Sequence, residues 1–122
     1  MVPILLVAAG GALGAVARFL VSMSSRAAVG DGWPWGTLFI NLSGCLLISL
    51  FLGAGTSRIA QTNLRYLLPV GFVGAYTTFS SYEYEILRLV SAGRAAAALA
   101  YVLASNVLGF AAVLAGEWLG RR

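Results

Sequence analysis

Four apolar stretches joined by short polar connections constrain this chain more than any other feature. They cover about residues 2–21, 34–53, 64–90 and 95–119, and roughly 20 apolar residues of helix cross a bilayer core. Of the 122 residues, 60% are apolar and 10% are charged, well under the quarter or so that a soluble domain carries. Spread over a soluble fold, this composition would leave large exposed apolar patches. The expectation is one all-α integral membrane domain of four transmembrane helices.

The third stretch departs from a plain lipid-facing helix. From Gly71 to Glu85 it reads Gly-Phe-Val-Gly-Ala-Tyr-Thr-Thr-Phe-Ser-Ser-Tyr-Glu-Tyr-Glu. Two glycines three apart lower its helix propensity, and Thr77-Thr78 add β-branching. Pro69 and Gly71 weaken the turns before them. The hydroxyls of Thr77, Thr78, Ser80 and Ser81 at bilayer depth need polar partners or an aqueous lining. Irregular backbone there is tolerated only when buried in protein or lining a cavity. A broken third helix that builds a pathway or an ion site is predicted. Beyond the break, Phe79 and Tyr82 share a face, while Glu83, Glu85 and Arg88 read as an interfacial charge pair.

In the first stretch Gly10 and Gly14 form a smooth strip for close helix packing, with Gly11 and Ala15 beside it. Arg18 continues that strip, and it fits either a snorkelling side chain or one facing a protein interior. No basic residue precedes this stretch and it leads to an arginine instead of a cleavage box, so a retained helix is expected and not a signal peptide. A polar loop is expected from Ser22 to Gly32, and Trp33-Pro34-Trp35 supplies an interfacial anchor and a helix start. In the second stretch Thr37 and Asn41 share a face, with Gly44 a turn further on. A carboxamide in lipid acts either as interhelical glue or as a donor lining a pore. Tyr101, Ser105 and Gly109 form a stripe on the fourth stretch, beside Asn106, and again glue and a wet face both fit.

The net charge of +4 is not a nucleic-acid footprint, because the arginines stand mostly singly between apolar stretches. Cys45 is the lone cysteine, too few for an intrachain disulfide, and reads as an apolar filler. Histidine is absent, no nucleophile has a base beside it, and no carboxylates cluster at bilayer depth. An enzyme is therefore not expected. With four crossings, alternate loops share a side. Arg58, Arg65, Arg121 and Arg122 then stand on one side against Arg18, Arg26, Arg88 and Arg94 on the other. Orientation follows the excess of cytoplasmic arginine and lysine, so this tie favours insertion both ways round. Two oppositely inserted copies pair about an axis in the membrane plane, which places the broken third helices together near the midplane. An antiparallel dual-topology dimer is the predicted assembly.

Three blocks together resemble a known family. They are Gly10-Gly11-Ala12-Leu13-Gly14-Ala15-Val16-Ala17-Arg18-Phe19, Gly36-Thr37-Leu38-Phe39-Ile40-Asn41-Leu42-Ser43-Gly44, and Gly71 through Tyr82. In this order, in a four-span chain of this length, they are similar to the Fluc (CrcB) fluoride channels. The resemblance implies a homodimer in antiparallel orientation in a bacterial inner membrane, with two fluoride pores and a structural Na⁺ at its centre. It implies backbone carbonyls of Gly74 and Thr77 as the Na⁺ ligands and Asn41 as the pore asparagine, with Thr37 on its face. Phe79 and Tyr82 fall on the family's two pore-facing phenylalanines, and Ser80, Ser81, Tyr101 and Ser105 on its polar track. Arg18 maps to the aqueous vestibule and Glu85 to the third-helix glutamate. Tyr82 departs from the family pattern by adding a hydroxyl.

Fluoride is small and tightly hydrated, so a route through lipid must replace its water. The N–H and O–H donors of Asn41, Ser80, Ser81, Tyr101 and Ser105 suit that task, as do aromatic ring edges. Passive electrodiffusion would then lower cytoplasmic fluoride. One rival reading is a small multidrug-type proton-coupled antiporter, which needs a carboxylate in its first helix; this chain has none there. Another is a non-transporting membrane scaffold subunit, which leaves the hydroxyl-rich break without a reason.

Overall fold

A computed structural model describes residues 1–53 and 58–122. Within them the chain is helical: α1 (Val2–Val29), α2 (Trp35–Leu52), α3 (Arg58–Gln61), a π-helical segment (Tyr66–Val73) running into α4 (Gly74–Tyr76), α5 (Phe79–Ser91) and α6 (Ala95–Gly120). Among the described residues three helices, α1, α2 and α6, are long and apolar enough to cross a membrane. The connection from Gly53 to Asn63, expected from the sequence to be a loop, lies partly outside the described residues, and within it Arg58–Gln61 is helical.

One expectation is corrected at the start of the chain. The polar loop predicted from Ser22 is helix, because α1 continues to Val29. Ser22 to Val29 holds neither glycine nor proline, and Met23, Arg26, Ala27 and Ala28 are helix formers that outweigh the three serines. The helix stops only at Gly30, whose φ of 73° is left-handed and whose N–H donates to the Arg26 carbonyl at 2.9 Å. At 1.5 Å per residue α1 is about 42 Å long. Arg18 therefore lies about three turns inside the helix and not at its end.

The third stretch is broken in two ways. Pro69 lacks the N–H its own helical turn requires, and the turn widens: the Gly74 N–H reaches back to the Pro69 carbonyl, five residues earlier. At Thr77 and Thr78 the backbone then leaves the helix altogether, with ψ of 157° and 117°. Thr78 caps the new helix by accepting from the Ser81 N–H at 3.2 Å. At the other end of α5, Gly93 takes φ of 72° and its N–H bonds the Val90 carbonyl, while that of Arg94 bonds the Leu89 carbonyl, each at 2.9 Å. This six-to-one closure folds α6 back beside α5.

Small residues decide which helices touch. A Cβ on Gly10 would run into the Leu67 carbonyl and lie 2.9 Å from the Phe72 nitrogen, and one on Gly14 would run into the Phe72 carbonyl. The glycine strip of α1 thus packs directly on the backbone of the π-helical segment. On the other side Gly116 meets the Leu46 carbonyl and Ser49 of α2, and Gly120 faces Gly53. Between α2, α5 and α6 a core closes from Leu38, Tyr82, Leu89, Ala98 and Tyr101, with Trp33 against it.

These contacts predict a contrast on α1. Gly14→Val lowers thermal stability in detergent by about 1–3 kcal/mol through overpacking, while Gly11→Ala, whose new methyl would meet only the Ala75 Cβ at 4.0 Å, leaves the unfolding midpoint nearly unchanged. Equal midpoints for the two variants would refute the packing role.

Candidate functional site

The predicted site residues fall into two groups separated along α2 and α5. The first surrounds the break. Asn41 of α2 grips it with both ends of its carboxamide: Nδ2 donates to the Thr78 carbonyl at 3.1 Å, and Oδ1 accepts from the Thr78 N–H at 3.0 Å. One N–H of the carboxamide remains for another acceptor. Thr78, absent from the predicted set, also ties Ser80 and Ser81 to the break through its hydroxyl, at 3.4 and 3.1 Å. Asn41, Gly74, Thr77 and Phe79 line an open, mostly apolar groove of about 330 Å³. Phe79 is 73% exposed.

The second group lies toward the α1–α2 and α5–α6 connections. The Glu85 carboxylate accepts the Thr37 hydroxyl at 2.7 Å on Oε1 and the Tyr101 hydroxyl at 2.8 Å on Oε2. Glu85 is therefore not the interfacial partner of Arg88: the ion pairs among the described residues are Arg26–Asp31 and Arg121–Glu117. Two hydroxyls at the right height outcompete an exposed arginine because their side chains are already fixed by packing. Tyr101 is fully buried, with its ring against Trp33 at 5.3 Å and Tyr82 at 5.2 Å. Trp33 itself donates to the Ala97 carbonyl at 3.2 Å, so it is a packing residue and not only an interfacial anchor.

Tyr82 connects the two groups. Its ring lies 5.9 Å from that of Phe79, and its hydroxyl accepts from Asn106 Nδ2 at 3.2 Å. The hydroxyl that distinguishes this chain thus has a partner, and its own proton is still free to be donated. Ser105, a turn beyond Tyr101, has a buried hydroxyl with no hydrogen-bond partner.

A cavity of about 150 Å³ opens above Glu85 and Thr37, lined also by Ser25, Arg26, Arg88 and Arg94. Arg94 donates to the Gly32 carbonyl across its mouth. Nothing in the sequence places these three arginines together; their convergence depends on α1 running on to Val29. Arg18 is half-buried and lines neither cavity.

Two comparisons bear on this arrangement. The family model described as "CrcB-like protein, Camphor Resistance (CrcB)" matches residues 5–117. The chain belongs to the CrcB family. This CrcB chain is 49% identical over 115 residues to a protein of Nitrobacter hamburgensis named "Fluoride-specific ion channel FluC 1", covering 93% of the chain and 90% of that protein. It is 46% identical over 114 residues to "Fluoride-specific ion channel FluC" of Nitrobacter winogradskyi, covering 93% and 90%. A Caulobacter protein of the same name is 42% identical over 124 residues, covering 100% and 97%. The CrcB match and the three apolar helices make it a multi-pass bacterial membrane protein.

The clamp on the break predicts that Asn41→Ala, which strands the Thr78 N–H and carbonyl, destabilises the fold by about 1–3 kcal/mol per group. Asn41→Asp, which retains an acceptor for the N–H, falls in between. Thermal unfolding of the purified variants measures both, and an alanine variant as stable as the parent would remove the clamp.

Proposed function

We infer that this chain is a fluoride-specific ion channel and not an enzyme. The observation that carries the reading is the run of neutral donors and ring edges from Thr37 and Tyr101 through Tyr82 and Asn106 to Phe79, in a chain 42–49% identical to proteins named for that activity. Hydroxyl and carboxamide protons replace a hydration shell without the fixed positive charge that would hold an anion too tightly to release it. Transport is passive, and an inside-negative potential drives fluoride outward, which lowers its toxicity in the cytoplasm.

The assembly we propose is an antiparallel homodimer in the inner membrane, with two pores. Three features support it. The arginines tie at four against four. The third crossing, split between Tyr66–Tyr76 and Phe79–Ser91, has its break beside an open groove. Phe79, a ring assigned to the pore, is exposed in a single copy.

The break also fits a central Na⁺. Thr78 gives its N–H to Asn41, so the Gly74 carbonyl loses the helical donor four residues on. Gly74 and Thr77 both border the groove, and two neutral carbonyls per copy, doubled across a two-fold axis, suit a hard monovalent cation. The proposed donors are these backbone carbonyls; no group of three histidine, cysteine or carboxylate side chains placed to hold a metal occurs among the described residues. Bound there, Na⁺ would satisfy these carbonyls and hold the two breaks together.

An antiporter of the small multidrug type lacks its first-helix carboxylate here. The test is efflux from liposomes holding the purified protein at low density. Fluoride leaves rapidly while chloride is retained. Silence toward both anions, with folded dimeric protein, would overturn the channel reading.

A further inference from the structure

Asn106 stands exposed near the middle of α6, a helix long and apolar enough to cross the membrane. A carboxamide at that depth is costly unless it is bonded. Its nitrogen carries two N–H groups and both are used: Nδ2 donates to the Val102 carbonyl at 2.8 Å and to the Tyr82 hydroxyl at 3.2 Å. The first bond fixes the direction of the second. A carbonyl only accepts, so the carboxamide must turn its nitrogen to Val102, and the Tyr82 oxygen beside that nitrogen has to accept as well. The phenol proton is thereby directed away from Asn106, and among the described residues it has no acceptor. Tyr82 is buried, where an O–H without an acceptor costs free energy.

Resting on the channel reading, we propose that Asn106 is a positioning residue for fluoride: by filling an acceptor site on the Tyr82 oxygen, it aims the phenol proton at the passing ion. Tyr82 stands on the route, with its ring 5.9 Å from that of Phe79 and 5.2 Å from that of Tyr101. A phenylalanine at 82 would offer an anion only the weakly positive edge of its ring. The tyrosine adds an O–H, and a hydrogen bond to an ion is about twice as strong as one between neutral groups. Accepting from Asn106 also polarises that O–H and strengthens it as a donor. Without Asn106 the hydroxyl turns about its C–O bond and its proton is no longer held in one direction. The ion in turn supplies the acceptor that the buried proton lacks. Both protein groups are neutral, so the anion is recognised without a fixed charge that would keep it from leaving.

Aiming a donor and merely tying α5 to α6 predict different outcomes. A tie alone shifts stability and leaves the fluoride dependence of transport where it was. In liposome efflux measured against fluoride concentration, Tyr82→Phe raises the half-saturating concentration by about tenfold, the equivalent of one charge-assisted hydrogen bond. Asn106→Leu, close in volume and without polar side-chain atoms, raises it by a smaller factor, and neither change lowers the maximal rate. In the Tyr82→Phe background Asn106→Leu adds nothing to the shift, because no proton is left to aim. An unchanged or lowered half-saturating concentration in either single variant overturns the proposal, as does a shift from Asn106→Leu that persists in the Tyr82→Phe background. Should the leucine variant not fold, Asn106→Ala makes the same comparison. Absence of fluoride flux in the parent protein is a different failure, that of the channel reading itself.

Discussion

The two hydrogen bonds between Asn41 and Thr78 are the interaction on which the rest of this structure depends. A helix interrupted in lipid leaves backbone groups with nothing to bond, and each such group costs several kcal/mol. Here one carboxamide satisfies an N–H and a carbonyl at the same residue, and the Thr78 hydroxyl serves the next helix as its cap. The break is thereby a defined geometry and not a frayed end. It sets where α5 starts, and so which α5 side chains meet α2 and α6.

That starting point has consequences along the helix. Phe79 opens α5 facing outward, Tyr82 turns one turn later into the core, and Glu85 arrives between Thr37 and Tyr101. The three residues are spaced by three, so they form one stripe that advances from the groove to the arginine-lined cavity. A carboxylate at the inner end of that stripe would be costly without partners, and the two hydroxyls that supply them come from separate helices. The same pairing that makes Glu85 tolerable in the fold places it across the donors best suited to an anion.

Much of this was legible from residue types. The hydroxyl-rich stretch after Gly74 signalled a break, and the structure has one at Thr77–Thr78. The Gly10–Gly14 strip signalled close helix contact, and its partner is the backbone of the weakened segment around Phe72. The errors came from judging neighbours in sequence. Three serines between Ser22 and Ser25 looked like a loop, but no residue there breaks a helix before Gly30. Glu85 and Arg88 looked paired because they are three apart, yet the carboxylate is claimed by residues 48 positions before it and 16 after it. Asn41 was legible as a polar group needing a partner, whereas its use as a two-ended clamp was not.

By itself the sequence determined the class of the molecule. Long apolar runs with so little charge have a low-energy place only in a bilayer, glycine strips permit close approach only where they occur, and a β-branched, hydroxyl-rich stretch cannot propagate a lipid-facing helix. These are local properties of residue types, and they survive any arrangement of the helices. Only the tertiary structure decided which polar group answers which. Buried hydrogen bonds are short and directional, so the choice of Thr78 for Asn41, of Thr37 and Tyr101 for Glu85, and of Asn106 for Tyr82 depends on where packed helices bring side chains to within about 3 Å of each other.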